Sequence, residues 1–377
     1  MKKVLIANRG EIAIRIARTC NDLGLKTVGI YSEDDANSLH LSKVDEAYEI
    51  DEKGAQAYLD IKEIIRIAKE SKADAIHPGY GFLSENSFFA SAAKRAKIKF
   101  IGPNERTLKI FGDKTSAKEL ASSLNIPVIA GTHDKTSIRQ AQNFMKSLKK
   151  NSSVVIKAIS GGGGRGMRVV SKIDDLKESF DRAASEAKAS FDSPDLYLEE
   201  YLKNYRHIEF QIIGDGTGEV SHLHERECSI QRRYQKLIEI APSPSLSLEL
   251  KNKMISASLA LAQKLKYEGL ATIEFLVNVE KNDFRFIECN PRLQVEHTVT
   301  ESILSMDIVK AQIQVASGKT LKQIKLEQKN VPEPKGYAIQ SRVNMETIDS
   351  KGNANPGGGI FEKFDLPSGP GVRADSY

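Results

Sequence analysis

VVIKAISGGGGRGMRVV, residues 154–170, joins two apolar runs through a loop that holds five glycines and one arginine. The element after the glycines decides the fold. Gly161, Gly163 and Gly166 satisfy the pattern G-x-G-x-x-G, but a dinucleotide fingerprint needs a helix next, and 167–170 reads as a second strand. A P-loop needs Gly-Lys-Ser/Thr after its glycines, and none is present. The remaining reading is a strand-loop-strand flap. At Gly161, Gly162, Gly163, Gly164 and Gly166 the backbone N–H groups carry no side-chain obstruction, which suits wrapping a phosphate chain. Lys157, a cation inside the apolar strand, and Arg165 in the loop would meet that anion. The alternative is a flexible surface hairpin, and the lysine within the strand argues against it.

On the N-terminal side of the flap, short apolar runs at 4–7, 26–31, 74–77 and 99–102 alternate with helical periodicities at 12–23, 55–71 and 86–97. That alternation predicts a doubly wound parallel sheet over the first hundred or so residues. After Pro103 come polar helices at 105–111, 115–124 and 137–149, so a domain boundary is expected near 103–113. From residue 153 onward, strands meet in hairpins turning at 214–218 and 280–283, which predicts an α+β half, mostly antiparallel.

The whole chain has 377 residues, 40% hydrophobic, with no tryptophan and a formal charge of +5. That length suits about two or three packed domains and excludes a small disulfide or zinc module. The charge excess is too small for wholesale nucleic-acid binding and leaves small anions as ligands. Cys20, Cys228 and Cys289 show no metal-ligand spacing and fit a reducing cytoplasm. The apolar run at 4–7 is too short for a secretory signal, and no stretch approaches the ~20 apolar residues of a membrane span.

A second chemical signal lies in 271–277 and 284–290, ATIEFLV and FRFIECN. Strand alternation puts Glu274 on the polar face of the first, and Glu288 with Asn290 on one face of the second. With an odd number of residues in the turn, Glu274 and Glu288 stand opposite each other. Paired carboxylates repel. A divalent cation reverses that sign and suits hard oxygen donors, as for Mg²⁺ (or Mn²⁺); a solvated hairpin face is the equal alternative. The next segment, 290–297, places Asn290, Arg292, Gln294 and Glu296 in alternation, a cation for an anionic substrate and a general base beside the carboxylates. Together these point to ATP-driven chemistry on a second small anion.

At this point the sequence resembles biotin carboxylase, the ATP-grasp component of biotin-dependent acetyl-CoA, propionyl-CoA and pyruvate carboxylases. The resemblance runs over essentially the whole chain. It rests on IANRGEIAIRI (6–16), HPGYGFLSEN (77–86), FIGP (100–103), GDK (112–114), the flap, QRRYQK (231–236) and IECNPRLQVEHTVTE (287–301). It implies an α/β and α+β fold: a Rossmann-like N-terminal domain over 1–112, a doubly wound parallel sheet preceding the ATP-grasp domain. The ATP-grasp domain would cover 113–317, with a glycine-rich lid at about 130–203, before a C-terminal domain that starts in 330–377 and is incomplete.

The resemblance also implies roles. Lys114 and Lys157 would contact nucleotide phosphates, with Gly161, Gly162, Gly163, Gly164 and Gly166 closing over them. Glu199 and Leu202 would meet the adenine, and His207 and Gln231 would help hold the nucleotide. Glu274 and Glu288 would be the Mg²⁺ ligands, with Asn290 alongside. Lys236, Arg292, Gln294, Val295 and Glu296 match the bicarbonate site, and Arg342 in QSRVN (340–344) matches the arginine that faces biotin. The implied activity is ATP-dependent carboxylation of biotin by bicarbonate through carboxyphosphate, with Glu296 as base and Arg342 steadying the biotin enolate.

The implied partners are a biotin carboxyl carrier protein or domain, a carboxyltransferase, and a second copy in a homodimer. Neither nucleic acid nor membrane is expected. Tyr234 stands where the family usually shows histidine, and Ile240 where it usually shows a carboxylate. Two other readings are a nucleotide- or partner-binding fragment of weak activity, and another ATP-grasp carboxylate ligase; the latter would need a different acceptor site in place of 294–296 and Arg342.

Overall fold

The structure is a computed structural model that describes residues 1–377 except 133, 160–166, 233, 351–353, 360–361 and 377. The glycines at 161–164 and 166, with Arg165, therefore lie outside the described residues. The chain forms two compact units. One comprises Met1–Ser84, Ala92–Ile101 and Gln340–Tyr377, and the other Glu85–Ser91 and Gly102–Ile339.

In the first unit, β1 (Lys3–Ile6), β2 (Lys26–Ser32), β3 (Glu46–Ile50), β4 (Ala75–His77) and β5 (Lys99–Phe100) form a parallel sheet in the order β3-β2-β1-β4-β5. That order is the doubly wound arrangement expected from the strand–helix alternation. Helix α1 (Gly10–Asp22) turns Ile12, Ile16 and Cys20 inward against the sheet. Two details differ from the periodicity. The stretch 55–71 is not one helix: a short 3-10 turn over Gly54–Leu59 precedes α2 (Ile61–Glu70). Asp60 makes the break by accepting the N–H groups of Lys62 (2.9 Å) and Glu63 (3.0 Å), the geometry of an N-cap. The edge strand β3, EAYEI, is an addition, because only Ile50 of its five residues is buried and its apolar signal is weak.

The second unit contains two antiparallel sheets. In the smaller, β6 (Ser153–Ala158) pairs with both β7 (Arg168–Val170) and β8 (Leu196–Tyr201), so the glycine stretch does connect two strands, as its context required. Val154, Ile156 and Leu198 pack under the helix Leu176–Phe191 with Leu176, Ala183 and Ala187. Strand alternation then sends Lys157, Tyr197 and Glu199 to the opposite face. Residue 131 must be glycine there, since a Cβ would lie 2.6 Å from the carbonyl oxygen of Leu198.

Five of the larger sheet's six strands are β9 (Arg206–Asp215), β10 (Val220–Arg232), β11 (Gln235–Ala241), β12 (Glu268–Asn278) and β13 (Asp283–Asn290), in the order β13-β12-β9-β10-β11. Its apolar face carries Phe210, Phe275 and Phe286, whose rings meet edge-on at 6.2–6.3 Å, beneath Leu250 and Met254 of the helix Leu248–Lys264. Each such buried ring contributes about 1.5–3 kcal/mol. The alternate residues of the same strands are polar, and they build the site. Among the described residues no helix is long and apolar enough to cross a membrane.

Candidate active site

Antiparallel register places Glu288, Glu274, Glu209 and Arg226 in one row across β13, β12, β9 and β10. Glu274 does pair with Glu288, but not through an odd turn: Asn278 pairs with Asp283 across a four-residue turn, and a bulge between Glu274 and Phe275 shifts the register by one residue to bring the two carboxylates opposite. Glu274 and Glu209 are at most 2% exposed, so their charges need partners. Glu209 accepts from Arg226 Nε (2.5 Å) and Lys236 Nζ (2.6 Å). Arg226, fully buried, gives its other N–H groups to Gln211 (2.8 Å), Thr300 (2.9 Å) and Thr272 (3.2 Å).

Glu274 accepts from His207 Nε2 (2.6 Å), Lys236 Nζ (3.1 Å), Asn290 Nδ2 (2.5 Å) and Gln294 Nε2 (3.0 Å). Because His207 donates from Nε2, its Nδ1 is the acceptor for Gln231 Nε2 at 2.8 Å. Lys236 also donates to Glu296 at 2.8 Å, so one ammonium bridges three carboxylates. Burial works against that ammonium, yet Glu209, Glu274 and Glu296 outweigh it and hold Lys236 well above its ordinary range. Burial likewise pushes the carboxyl groups up, but the Arg226 guanidinium and then Lys236 hold Glu209 down, and Lys236 and His207 hold Glu274 far below the usual range.

The segment after β13 folds back over this row. Arg292 donates to Glu85 (2.5 Å), to the Gln294 carboxamide (3.1 Å) and to Asn290 Oδ1 (3.1 Å), which fixes its guanidinium beside the hairpin. Gln294 is buried, Val295 half-buried, and Glu296 fully buried just ahead of the helix His297–Leu304. Glu274, Glu288 and the Asn290 amide oxygen are hard oxygen donors at the end of one hairpin, a set that fits Mg²⁺ or Mn²⁺.

A different cluster sits on the other face of the smaller sheet, away from the helix Leu176–Phe191. Glu199, 2% exposed, accepts from Lys157 Nζ at 2.5 Å and from Lys118 Nζ. Lys118 comes from the helix Lys114–Ser123, whose first residue is Lys114. Burial, then repulsion from Lys114 and Lys118, pulls Lys157 down to about 7, and burial with Lys114 pulls Lys118 down to about 8. Glu199, in contact with both, works in the other direction, and Glu288 adds to it. Three lysines that repel one another are gathered here around Glu199, with Glu288 acting from further off, an electrostatic setting that suits an anion.

The structure thus gathers Lys236, His207, Gln231, Glu274, Glu288, Asn290, Arg292, Gln294, Val295 and Glu296 around one sheet face, and Lys114, Lys157 and Glu199 around another. Leu202 is half-buried just past β8. Arg342 is half-buried just after the short strand Ala338–Ser341, among residues grouped with the first unit. Tyr234 is 46% exposed at the β10–β11 turn. Four residues were missed: Glu209, Gln211, Arg226 and Lys118. The first two had a signal, since His207, Glu209 and Gln211 alternate with Ile208, Phe210 and Ile212. His222 and His224 pack edge-on at 5.3 Å on another part of β10, and burial pulls His222 down to about 4.

Residues 1–108 match the family described as "Biotin carboxylase, N-terminal domain", and residues 113–324 the one described as "Carbamoyl-phosphate synthase L chain, ATP binding domain". The pyruvate carboxylase of Bacillus subtilis (strain 168) is 49% identical over 384 residues, covering 100% of this chain and 33% of that protein. The mitochondrial pyruvate carboxylase of Homo sapiens is 47% identical over 379 residues, covering 100% and 32%. The chain spans about a third of the length of these curated relatives. Among solved structures, the biotin carboxylase domain dimer of the Hydrogenobacter thermophilus 2-oxoglutarate carboxylase, in complex with MgADP and bicarbonate, superposes with a TM-score of 0.92 at 42% identity. That match covers 98% of this chain and 80% of that one.

Proposed function

Because the chain belongs to the biotin carboxylase family, we propose that it uses MgATP and bicarbonate to carboxylate the biotin of a carrier protein or domain. The observation that carries this reading is Glu296: a fully buried carboxylate, held 2.8 Å from Lys236 and next in line to Arg292 and Gln294. A base in that position, with two cations to hold a small anion, is what proton removal from bicarbonate needs.

In this reading Arg292 and Lys236 hold bicarbonate, and the Glu296 carboxylate takes its proton. The freed oxygen attacks the γ-phosphorus of ATP; the new O–P bond forms as the bond to ADP breaks, giving carboxyphosphate. Lys114 and Lys157 offset charge on the phosphates. Glu274, Glu288 and Asn290 would hold a magnesium ion, whose charge polarises the phosphate oxygens. Carboxyphosphate then yields CO₂ and phosphate. Phosphate takes the ureido proton of biotin, the nitrogen attacks CO₂, and Arg342 steadies the enolate oxygen, a role that rests on the QSRVN match. Glu199, Leu202, His207 and Gln231 would seat the nucleoside, and the glycine segment 161–166 would exclude water that would otherwise hydrolyse carboxyphosphate.

The partners in this reading are a biotinylated carrier, a carboxyltransferase and a second copy of the chain, and the acyl-CoA or keto-acid acceptor belongs to the carboxyltransferase. The three cysteines, all buried, accord with a cytoplasmic location. The test is bicarbonate-dependent ADP release from MgATP, with and without free biotin, comparing the chain with Glu296→Ala. Biotin-stimulated release that falls about 10²–10⁴-fold in the variant supports the reading. Nucleotide binding with no turnover in either protein would favour a binding fragment instead.

A further inference from the structure

Two lysines share one buried carboxylate. Glu199 is 2% exposed, and its oxygens are divided between Lys157 of β6 and Lys118 of the helix Lys114–Ser123. The phosphate role set out above uses Lys157 and leaves Lys118 without one. Lys118 is nonetheless held in place: its side chain is 12% exposed, and its ammonium lies 5.4 Å from the centre of the Tyr197 ring, a cation–π contact.

Lys157 has two demands on it. In the structure it neutralises Glu199; during the proposed reaction it must serve phosphates. A lone Lys157–Glu199 pair would resist that transfer, because a ligand drawing the lysine away would strand a buried carboxylate with no cation, and a stranded buried charge is costly. Lys118 removes this obstacle. It stays on Glu199 when Lys157 turns to an anion, and its own charge repels Lys157, favouring the turn.

We propose that Lys118 is a positioning residue for a nucleoside polyphosphate: by holding Glu199 it releases Lys157 to the phosphates, and so sets nucleotide affinity without touching the reacting atoms. The inference rests on the ATP reading above. Lys118 differs in this from a lysine that only supports the fold, since its effect must depend on the carboxylate of Glu199.

The test measures MgADP affinity by titration calorimetry, KM and kcat for ATP, and the melting temperature. The proteins are the wild type, Lys118→Met, Lys118→Arg, Glu199→Gln and the double variant Lys118→Met/Glu199→Gln. Lys118→Met should weaken MgADP by about tenfold or more and raise the KM for ATP in step, with kcat little changed, while Lys118→Arg restores affinity. In the double variant no buried carboxylate holds Lys157, so the second substitution should cost little beyond Glu199→Gln alone. The Glu199→Gln pair carries no stranded charge, so this comparison stands even where Lys118→Met alone folds poorly. Unchanged MgADP affinity in Lys118→Met, a lowered melting temperature with normal affinity, or losses that simply add in the double variant would overturn the proposal. A wild-type protein that binds no MgADP would instead remove the ATP reading on which it rests.

Discussion

The two charge clusters of the second unit are built on opposite balances. On the larger sheet Glu209, Glu274 and Glu296 face Lys236 and Arg226, so carboxylates are in excess even before Glu288 is added. On the smaller sheet Lys118 and Lys157 share Glu199, and Lys114 adds its repulsion to both, so the balance is tilted toward cations. The first cluster pins its charges in place: Lys236 is driven up and Glu274 down, each locked in the form its neighbours need. The second loosens its charges, with Lys157 drawn down toward neutrality. A pole that lacks positive charge suits a divalent cation and fixed proton chemistry, while a pole that lacks negative charge suits a polyphosphate. In the proposed function the first pole would take the metal and the second the nucleotide.

The largest effect that would break the comparison is expected from Lys236→Met. It leaves Glu274 and Glu296 without this cation and Glu209 with Arg226 alone, in a site where the lysine side chain is 14% exposed, and should lower stability by about 3–5 kcal/mol in urea unfolding. The deficit should shrink as pH falls. A carboxyl group without its cation has a folded-state pKa raised above its unfolded value, so the folded protein takes up a proton and gains stability in acid. Lys157→Met should cost far less, because Lys118 remains on Glu199 and a repulsion is relieved. Equal losses at the two lysines would mean that the poles do not differ in the way their geometry indicates.

The next effect is a titration. Lys157, facing Lys114, Lys118, Glu199 and Glu288, is pulled down to about 7, and bound phosphates would raise it again. Below that value the ammonium is already formed and affinity is level. Above it, MgADP binding must take up a proton, and affinity should fall with rising pH by at most about tenfold per unit. Calorimetry at pH 8 in buffers of different ionisation heat reads the proton directly. No uptake at pH 8 would show that Glu199 keeps Lys157 charged throughout.

How legible was this in the sequence? The doubly wound sheet was, because buried parallel strands such as 4–7 are continuous apolar runs separated by amphipathic helices. The break at Asp60 was not, since a capping aspartate inside a periodic stretch looks like one more polar position. The Glu274–Glu288 pair was legible only in part: alternation puts both carboxylates on polar positions, but the four-residue turn alone would set Glu274 against Ile287, and a bulge supplies the shift that pairs it with Glu288. Glu209 and Arg226 were overlooked, although Glu209 stands in a clean polar alternation; their importance lies in non-local register, which brings residues far apart in the chain into one row. Lys118 was beyond the sequence altogether. A lysine on a polar helix reads as solvated until tertiary packing sets it against a carboxylate 81 residues away.

The smallest effect sharpens the comparison most, because Glu288 belongs to both poles. It stands opposite Glu274 across the hairpin, and its charge also reaches Lys118, Lys157 and Tyr197. Unlike Glu274 it is only half-buried, so neutralising it should leave the fold intact. Glu288→Gln therefore has opposite effects on two ligands. It removes a carboxylate from the metal pole, so the gain in ADP affinity on adding Mg²⁺ should largely disappear. It also removes a negative charge that faces the lysines, so ADP without Mg²⁺ should bind more tightly than to the wild type, by about two- to fivefold for a partly solvated interaction of this kind. Glu274→Gln, whose carboxylate is held by Lys236, His207, Asn290 and Gln294, should lose the Mg²⁺ effect without the gain for metal-free ADP. If both variants treated metal-free ADP alike, Glu288 would belong to the carboxylate row alone, and the two poles would be electrostatically independent.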